Sequence, residues 1–481
     1  MRIKNIYKEL SIQMKASLWF VATTVLLKGI SFITIPIFTR VMTTEQYGIY
    51  NIYLTWYEIF AVVGTLNLES CAYTNALTKF DKEHKKEAQI SLLELSFVIT
   101  TVLMSLSLLF GEQISSLLGL PNELLVLMIA QVYFVPAINF WTVKNRFEYK
   151  YIALVAVSVS MAIMNVVIGF YLVVSADVTQ QAHARVVSVV VVQIIYGLIL
   201  FGILNKGNKI KLVTKYWKWA VLLHVPLLPH TLSLKILGSA SRIMINSIIG
   251  ATEAAIYSVS FSVAIIVNLI KTSIVDAMRP WIYEKLKKND TSDMKNIFNG
   301  VLIFVAVLTM IFIAFGPEVI YIVAPKQYYD AIYCMPPIMI GSFFTFLYSI
   351  FSIVEMYYEE TKKIMIASVV AAVLNVILNF IFLERFGYIA AAFTTLVCYI
   401  FLAVFHYCMM CSIMKKKGLN LQLFDAKSVC VISIALIGMM FLFEFAYSSH
   451  ILRYLLLAVL TAIIVIKRKY LIGLIAVIKQ K

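Results

Sequence analysis

The chain has 481 residues, of which 61% are hydrophobic and only 14% charged, with a mean hydropathy of +0.88. A water-soluble protein of this length needs far more charge to cover its surface, and here apolar runs of bilayer-crossing length recur from end to end. The runs are unbroken instead of alternating with a period of two, which argues against a transmembrane barrel. The net charge of +16 lies between hydrophobic spans with no basic cluster in a soluble segment, which argues against nucleic acid.

The reading is therefore an all-α polytopic membrane protein with about fourteen transmembrane helices. Residues 1–15 place Ile3, Ile6, Tyr7 and Leu10 on one face opposite Arg2, Lys4 and Lys8, a pattern for an amphipathic helix on the membrane surface. The following run is too long for a signal-peptide core and lacks a clear cleavage site, so the first span is expected to be retained. Spans are expected near residues 16–39, 48–71, 89–110, 122–141, 151–174, 184–205, 218–249, 254–275, 296–316, 330–354, 364–383, 388–411, 427–445 and 451–466. The basic tail from Lys467 to Lys481 reads like the first segment, as a surface helix.

Charge tests this count. With the N-terminus inside, the outward loops carry only Arg40, Arg185, Lys326, Arg385 and Arg453, and the spans only Lys28, Lys235, Arg242 and Lys271. Every other Lys and Arg falls in an inward segment, so the positive-inside rule favours fourteen spans with both termini cytoplasmic. No loop is long enough for a soluble domain. The six cysteines lie in or beside apolar runs, and Cys408-x-x-Cys411 on a helix only sets two thiols on one face.

The chain repeats itself. Thr44–Glu45 returns as Thr252–Glu253, Ile49–Tyr50 as Ile256–Tyr257, and Lys28, at an offset of 207, as Lys235. Tyr133-x-x-Pro136 returns as Tyr333-x-x-Pro336, Asn165-Val166-x-x-x-Phe170 as Asn375-Val376-x-x-x-Phe380, and Ser158 as Ser368. Six spans separate the halves, so both keep one membrane orientation, as in transporters built from parallel repeats around an axis along the membrane normal. The expected organisation is an amphipathic segment (1–15), an N-lobe of six spans (16–205), a C-lobe of six (206–412), and two further spans with a basic tail (413–481). Rocking of the lobes would give alternating access.

The pattern Leu27-Lys28-Gly29-Ile30…Pro36…Thr39-Arg40…Tyr47-Gly48-Ile49-Tyr50, its echo at the start of span 8, and the six-plus-six-plus-two layout resemble the polysaccharide (Wzx-type) flippases. These belong to the multidrug/oligosaccharidyl-lipid/polysaccharide (MOP) exporter superfamily. The echo, Ala254-Ala255-Ile256-Tyr257, lacks the glycine. The resemblance implies a MATE-like V-shaped bundle in the bacterial cytoplasmic membrane, moving undecaprenyl-pyrophosphate-linked oligosaccharide from the inner to the outer leaflet. Its implied partners are that lipid-linked glycan, membrane lipids and polysaccharide polymerase machinery.

In span 7, His224, Thr231, Lys235, Arg242 and Asn246 fall on one face of a continuous helix, although Pro226 and Pro229 predict a kink or break there. Two cations at i and i+7 suit an anionic headgroup, since arginine grips phosphate oxygens bidentately and lysine acts as a point charge. The competing reading pairs both with buried carboxylates for structure alone. Lys28 lies at mid-depth, and Glu58 at similar depth: either the two pair, or Lys28 and Lys235 flank a cleft and hold pyrophosphate. Lys271 is expected to snorkel to the interface, and Glu94 and Glu355 to be solvated near cytoplasmic ends. Glu58 and Glu69, three turns apart on one face of span 2, are candidates for binding a coupling proton or sodium ion. Arg40, at the outer mouth, gates the headgroup or anchors the helix.

No cofactor is implied. The sequence lacks a nucleotide-binding GxxxxGK[ST] loop, a zinc-ligand cluster and a nucleophile elbow, so a transporter, not an enzyme, is expected, with no ATP hydrolysis in this chain. The rivals are a multidrug or cation antiporter of the same superfamily, a flippase for a lipid-linked peptidoglycan precursor, and a membrane glycan polymerase or ligase. The first predicts a carboxylate-dominated cleft and the last a large extracellular loop.

Overall fold

A computed structural model describes residues 11–206, 213–288, 294–418 and 425–466. The surface helix expected over the first ten residues and the tail from Lys467 lie outside this set. Among the described residues all regular structure is helical, with no strand. This is what a bilayer demands, because a helix satisfies its own backbone N–H and C=O groups where no water can do so.

The chain divides into two compact units, Met1–Ile236 with Gly250–Ala255, and Leu237–Ile249 with Ile256–Lys481. The first contains α1 (Ile12–Val41), α2 (Thr44–Thr65), α3 (Ala72–Lys79), α4 (Lys82–Leu109), α5 (Gly111–Leu118), α6 (Asn122–Phe147), α7 (Tyr151–Ser175), α8 (Gln181–Asn205) and α9 (Trp217–His224). Helices α10 (Leu228–Ile248) and α11 (Ala251–Lys288) contribute to both units. The second unit continues with α12 (Met294–Ala314), α13 (Gly316–Val323), α14 (Ala331–Tyr357), α15 (Thr361–Phe386), α16 (Ala390–Lys416), α17 (Ala426–Ala446) and α18 (His450–Ile466).

In the first unit α6 packs between α8, α4 and α2, while α1 lies against α7. Helices α1 and α7 bury little of their apolar surface, as expected of helices that face hydrocarbon. In the second unit α14 is central: 83% of its most apolar stretch is buried, against α16, α12 and α17. Polar caps mark helix starts where the chain meets water. Asp81 accepts from the His84 amide at 2.9 Å and from its ring at 2.7 Å, which holds the Asp81 carboxyl below the usual range.

Among the described residues eleven helices are long and apolar enough to cross a membrane, and α9 with α10 would add a twelfth, bent by 52°. This falls short of the expected fourteen. Tyrosines, Asn51 and Glu58 lower the hydropathy of α2, and the apolar stretch His450–Val459 of α18 is short. The bend falls at Pro226, where a turn of 3-10 helix (Val225–Leu227) replaces the α-helix, as the prolines predict.

The repeat is visible in the helix boundaries. Helices α7 and α8 correspond to α15 and α16 at an offset of 210, and each pair follows a residue in the left-handed region, Tyr149 (φ 54°) and Glu359 (φ 60°). The Tyr-x-x-Pro match is out of register: Tyr133 is deep in α6, whereas Tyr333 is in the first turn of α14. The units also differ. Where α11 runs unbroken to Lys288, its counterpart stops at Thr65, turns through left-handed Leu66 (φ 47°) and Asn67 (φ 55°), and resumes as α3. A non-glycine residue in this region costs of order 1–3 kcal/mol.

Gly48 of the Tyr-Gly-x-Tyr motif sits directly against the carbonyl of Ala251 in the first turn of α11, and an added Cβ would overlap that backbone oxygen. Gly48→Ala should therefore destabilise the protein by about 1–3 kcal/mol. Thermal unfolding in detergent checks this; an unchanged midpoint would show that the approach is not tight.

Candidate functional site

Lys235 and Glu58 form the charged centre of the first unit. The Lys235 Nζ lies 3.0 Å from Glu58 Oε2, joining α10 to α2 across 177 residues of sequence. Both side chains are half exposed, 42% for Lys235 and 47% for Glu58. An ion pair within apolar helices that keeps this much exposure belongs beside water, not hydrocarbon. The expected alternative, Lys28 with Glu58, is not the pair formed: Lys28 is exposed on α1 and makes no ion pair among the described residues. Its neighbours Thr24 and Ser31 donate to the helix carbonyls of Phe20 and Leu27.

Arg242 and Asn246 follow along α10 within the second unit, both half-buried. The Arg242 guanidinium lies 4.8 Å over the Phe261 ring and donates to the Gly238 carbonyl at 3.3 Å. His224 leaves the expected stripe, because the break at Pro226 turns α9 away. It is buried, and its Nε2 accepts the Ala72 backbone N–H at 2.9 Å, so in this arrangement it caps the start of α3. Arg40 is exposed at the end of α1 and donates to the Pro36 carbonyl at 2.9 Å.

Glu69 does not share a helical face with Glu58, because α2 ends at Thr65 and Glu69 lies in the strained turn that follows. It is buried, with Oε1 accepting from Asn139 at 2.9 Å, while Oε2 has no hydrogen-bond partner among the described residues. The two glutamates thus have different surroundings, one paired and wet, the other buried and half-satisfied.

Other buried ionisable groups were not anticipated. Lys271 does not snorkel: it is 2% exposed and donates to Ser342, which donates in turn to Asn268. Glu355 is fully buried, not solvated, and pairs with His406. In the first unit Arg185 is buried against Phe38 (4.1 Å) and Tyr50 (5.2 Å) and donates to Asn165 Oδ1 at 2.7 Å and to Ser188 at 2.8 Å. In the second unit the corresponding residues are Asn375 and Thr395. They bond each other at 3.3 Å within a neutral network that includes Ser241 and Asn379. The spacing of twenty residues in Asn165…Arg185 and Asn375…Thr395 was the available signal, hidden because arginine and threonine do not look alike.

The family described as polysaccharide biosynthesis protein matches residues 14–286. The chain belongs to this family. No curated protein matches the sequence. Among solved structures, the family member is similar to the lipid II flippase MurJ in an inward closed conformation. The TM-score is 0.71 at 15% identity, covering 94% of this chain and 99% of that one. It is also similar to an inward-facing multidrug resistance MATE family transporter of the MOP superfamily, with a TM-score of 0.57, 14% identity and coverage of 81% and 95%. A MOP superfamily transporter from Pyrococcus furiosus matches with a TM-score of 0.57, 13% identity and coverage of 84% and 97%. The likeness is one of fold, an all-helical bundle of membrane-crossing length.

A half-exposed ion pair contributes at most about 1 kcal/mol to stability. Lys235→Ala and Glu58→Ala should each leave the thermal midpoint of the purified protein within a few degrees. A collapse of folding in either variant would make the pair structural.

Proposed function

We propose that this family member is a flippase for a lipid-linked, pyrophosphate-bearing glycan in a bacterial cytoplasmic membrane, with both termini cytoplasmic. The observation that carries the reading is Lys235, a basic side chain at mid-span that is half exposed and held by a single carboxylate. An anion arriving beside it finds a charged donor that is not sealed in a core. Arg242, seven residues on, adds a guanidinium suited to phosphate oxygens, and Lys28 a further exposed cation within an apolar helix. Asn246 and Arg40 extend the set of polar groups available to a headgroup and its sugars.

The family match to polysaccharide biosynthesis supports a glycan, and the fold shared with a lipid II flippase supports a lipid-linked cargo. The lipid tail would stay in the bilayer while the headgroup is carried, by alternating access between two repeat-related lobes (16–205 and 206–412) and with spans beyond 413 appended. Partner enzymes would be the polymerase that receives the glycan. The proposed role is transport without catalysis and without a bound cofactor, driven by a proton or sodium gradient. For such coupling Glu69, buried and half-satisfied, is a better candidate than Glu58, which is held by Lys235.

The Lys235→Ala/Arg242→Ala double variant should abolish surface glycan export, with folded protein still in the membrane. Its readouts are surface polysaccharide and the leaflet in which lipid-linked intermediates accumulate. Normal export by that variant would remove the headgroup role. Intact surface glycan on deleting the gene, with sensitivity to cationic drugs, would favour the antiporter.

A further inference from the structure

We infer that the break after α2, in the first unit, forms a sodium-binding site whose charge is supplied by the Glu69 carboxylate. This residue is 9% exposed. Its Oε1 accepts from Asn139 Nδ2 of α6 at 2.9 Å, while Oε2 is buried with no hydrogen-bond partner among the described residues. Glu69 makes no ion pair among the described residues, and Lys235 of the same unit is held by Glu58 at 3.0 Å.

The break adds oxygens to this carboxylate. In a helix continuing past Thr65, the amides of Asn67 and Leu68 would bond the carbonyls of Val63 and Gly64. Here Asn67 N–H donates to Thr65 Oγ1 at 3.0 Å and Leu68 N–H to the Thr65 carbonyl at 3.2 Å, so those two carbonyls leave the helical ladder. They lie at the C-terminal end of α2, which carries the partial negative charge of the helix. The first amides of α3 are engaged elsewhere: Ala72 N–H donates to His224 Nε2 at 2.9 Å and Tyr73 N–H to the Leu68 carbonyl at 3.0 Å. Unwound carbonyls and helix C-terminal ends at breaks in transmembrane helices are suited to coordinating a small cation.

The repeat shows what has changed around the acid. At the offset of 207 that relates Tyr50 to Tyr257, Glu69 corresponds to Asp276 and Ala72 to Arg279. In the second unit α11 is unbroken, and Asp276 is 73% exposed and pairs with Arg279 at 3.6 Å. In the first unit the chain turns through left-handed Leu66 and Asn67, the acid is buried, and alanine stands where its cation would be. The acid is common to both units, whereas the resident counter-charge belongs to one.

Charge sets the ion. A buried carboxylate without a counter-charge is costly, and a single monovalent cation makes the site neutral. A divalent ion would leave a buried positive charge, and calcium takes six to eight oxygens, commonly from several carboxylates. A proton on Oε2 would satisfy that atom alone and leave the carbonyls of Val63 and Gly64 unused, whereas sodium is bound by carboxylate and carbonyl oxygens together. Asn139 is a positioning residue, holding Oε1 so that Oε2 is left for the ion.

That sodium then drives glycan movement rests on the proposed flippase function; the site itself does not. Purified full-length protein at fixed pH and ionic strength, with choline replacing sodium, tests it by binding of radioactive sodium and by the thermal midpoint. The wild type should bind one sodium ion per chain and gain in midpoint as sodium replaces choline. Glu69→Gln should lose both responses. Asn139→Ala should bind sodium about tenfold more weakly, as for the loss of one hydrogen bond to a charged group. A wild type that binds no sodium, or Glu69→Gln protein that binds it as the wild type does, would overturn the proposal. If Glu69→Gln does not fold, Glu69→Asp, which keeps the charge on a shorter arm and should change the sodium affinity, takes its place. In liposomes, replacing sodium by choline should slow wild-type movement of a fluorescent undecaprenyl-pyrophosphate-linked sugar. If that probe moves in neither salt, the flippase reading fails while sodium binding still decides the site.

Discussion

A charge carried into a slab of hydrocarbon must be paired, hydrogen-bonded or given water, and this constraint sorts every ionisable group within the helices. Arg185 lies against aromatic faces and donates through its Nη1 to neutral oxygens. Lys271 donates to Ser342, which donates in turn to Asn268. Lys235 and Glu58 meet each other while remaining half exposed, and Glu355 and His406 meet while fully enclosed. The first pair stays exposed, and the second is enclosed among side chains. Position in the bundle, not residue type, decides what each can do.

The two units share a helix plan yet spend it differently. In the first, the break after Thr65 puts left-handed Leu66 and Asn67 beside buried Glu69, and His224 caps the chain where it resumes. In the second, the corresponding helix runs unbroken, and a neutral network of Ser241, Asn375, Asn379 and Thr395 replaces the guanidinium of Arg185. The paired left-handed residues Leu66 and Asn67, half-satisfied Glu69 and the break at Pro226 belong to the first unit, and the enclosed Glu355–His406 pair to the second.

Much of the fold was legible because hydrocarbon demands long apolar helices, and their spacing survives in composition. The resemblance carried by Tyr47-Gly48-Ile49-Tyr50 agrees with the family match, and the structure gives Gly48 its reason in the Ala251 carbonyl. Hydropathy could not show that α2 ends at Thr65, since Leu66 and Asn67 look no different in a helix until tertiary packing forces them out of it. It also could not choose partners: Lys28 and Lys235 sit at similar depth, and only the fold gives Glu58 to the second. Burial was misjudged where depth was counted from span ends, as for Lys271 and Glu355. A residue near a helix end can still lie under a neighbouring helix.

The central claim is movement of a lipid-linked glycan by this chain alone. The most direct measurement reconstitutes the purified protein in liposomes loaded with undecaprenyl-pyrophosphate-linked glycan, then follows how much of the glycan a membrane-impermeant glycosidase can reach. Flippase activity predicts that the inner-leaflet half, protected in protein-free liposomes, becomes cleavable. Persistent protection in liposomes that demonstrably contain folded protein would contradict it.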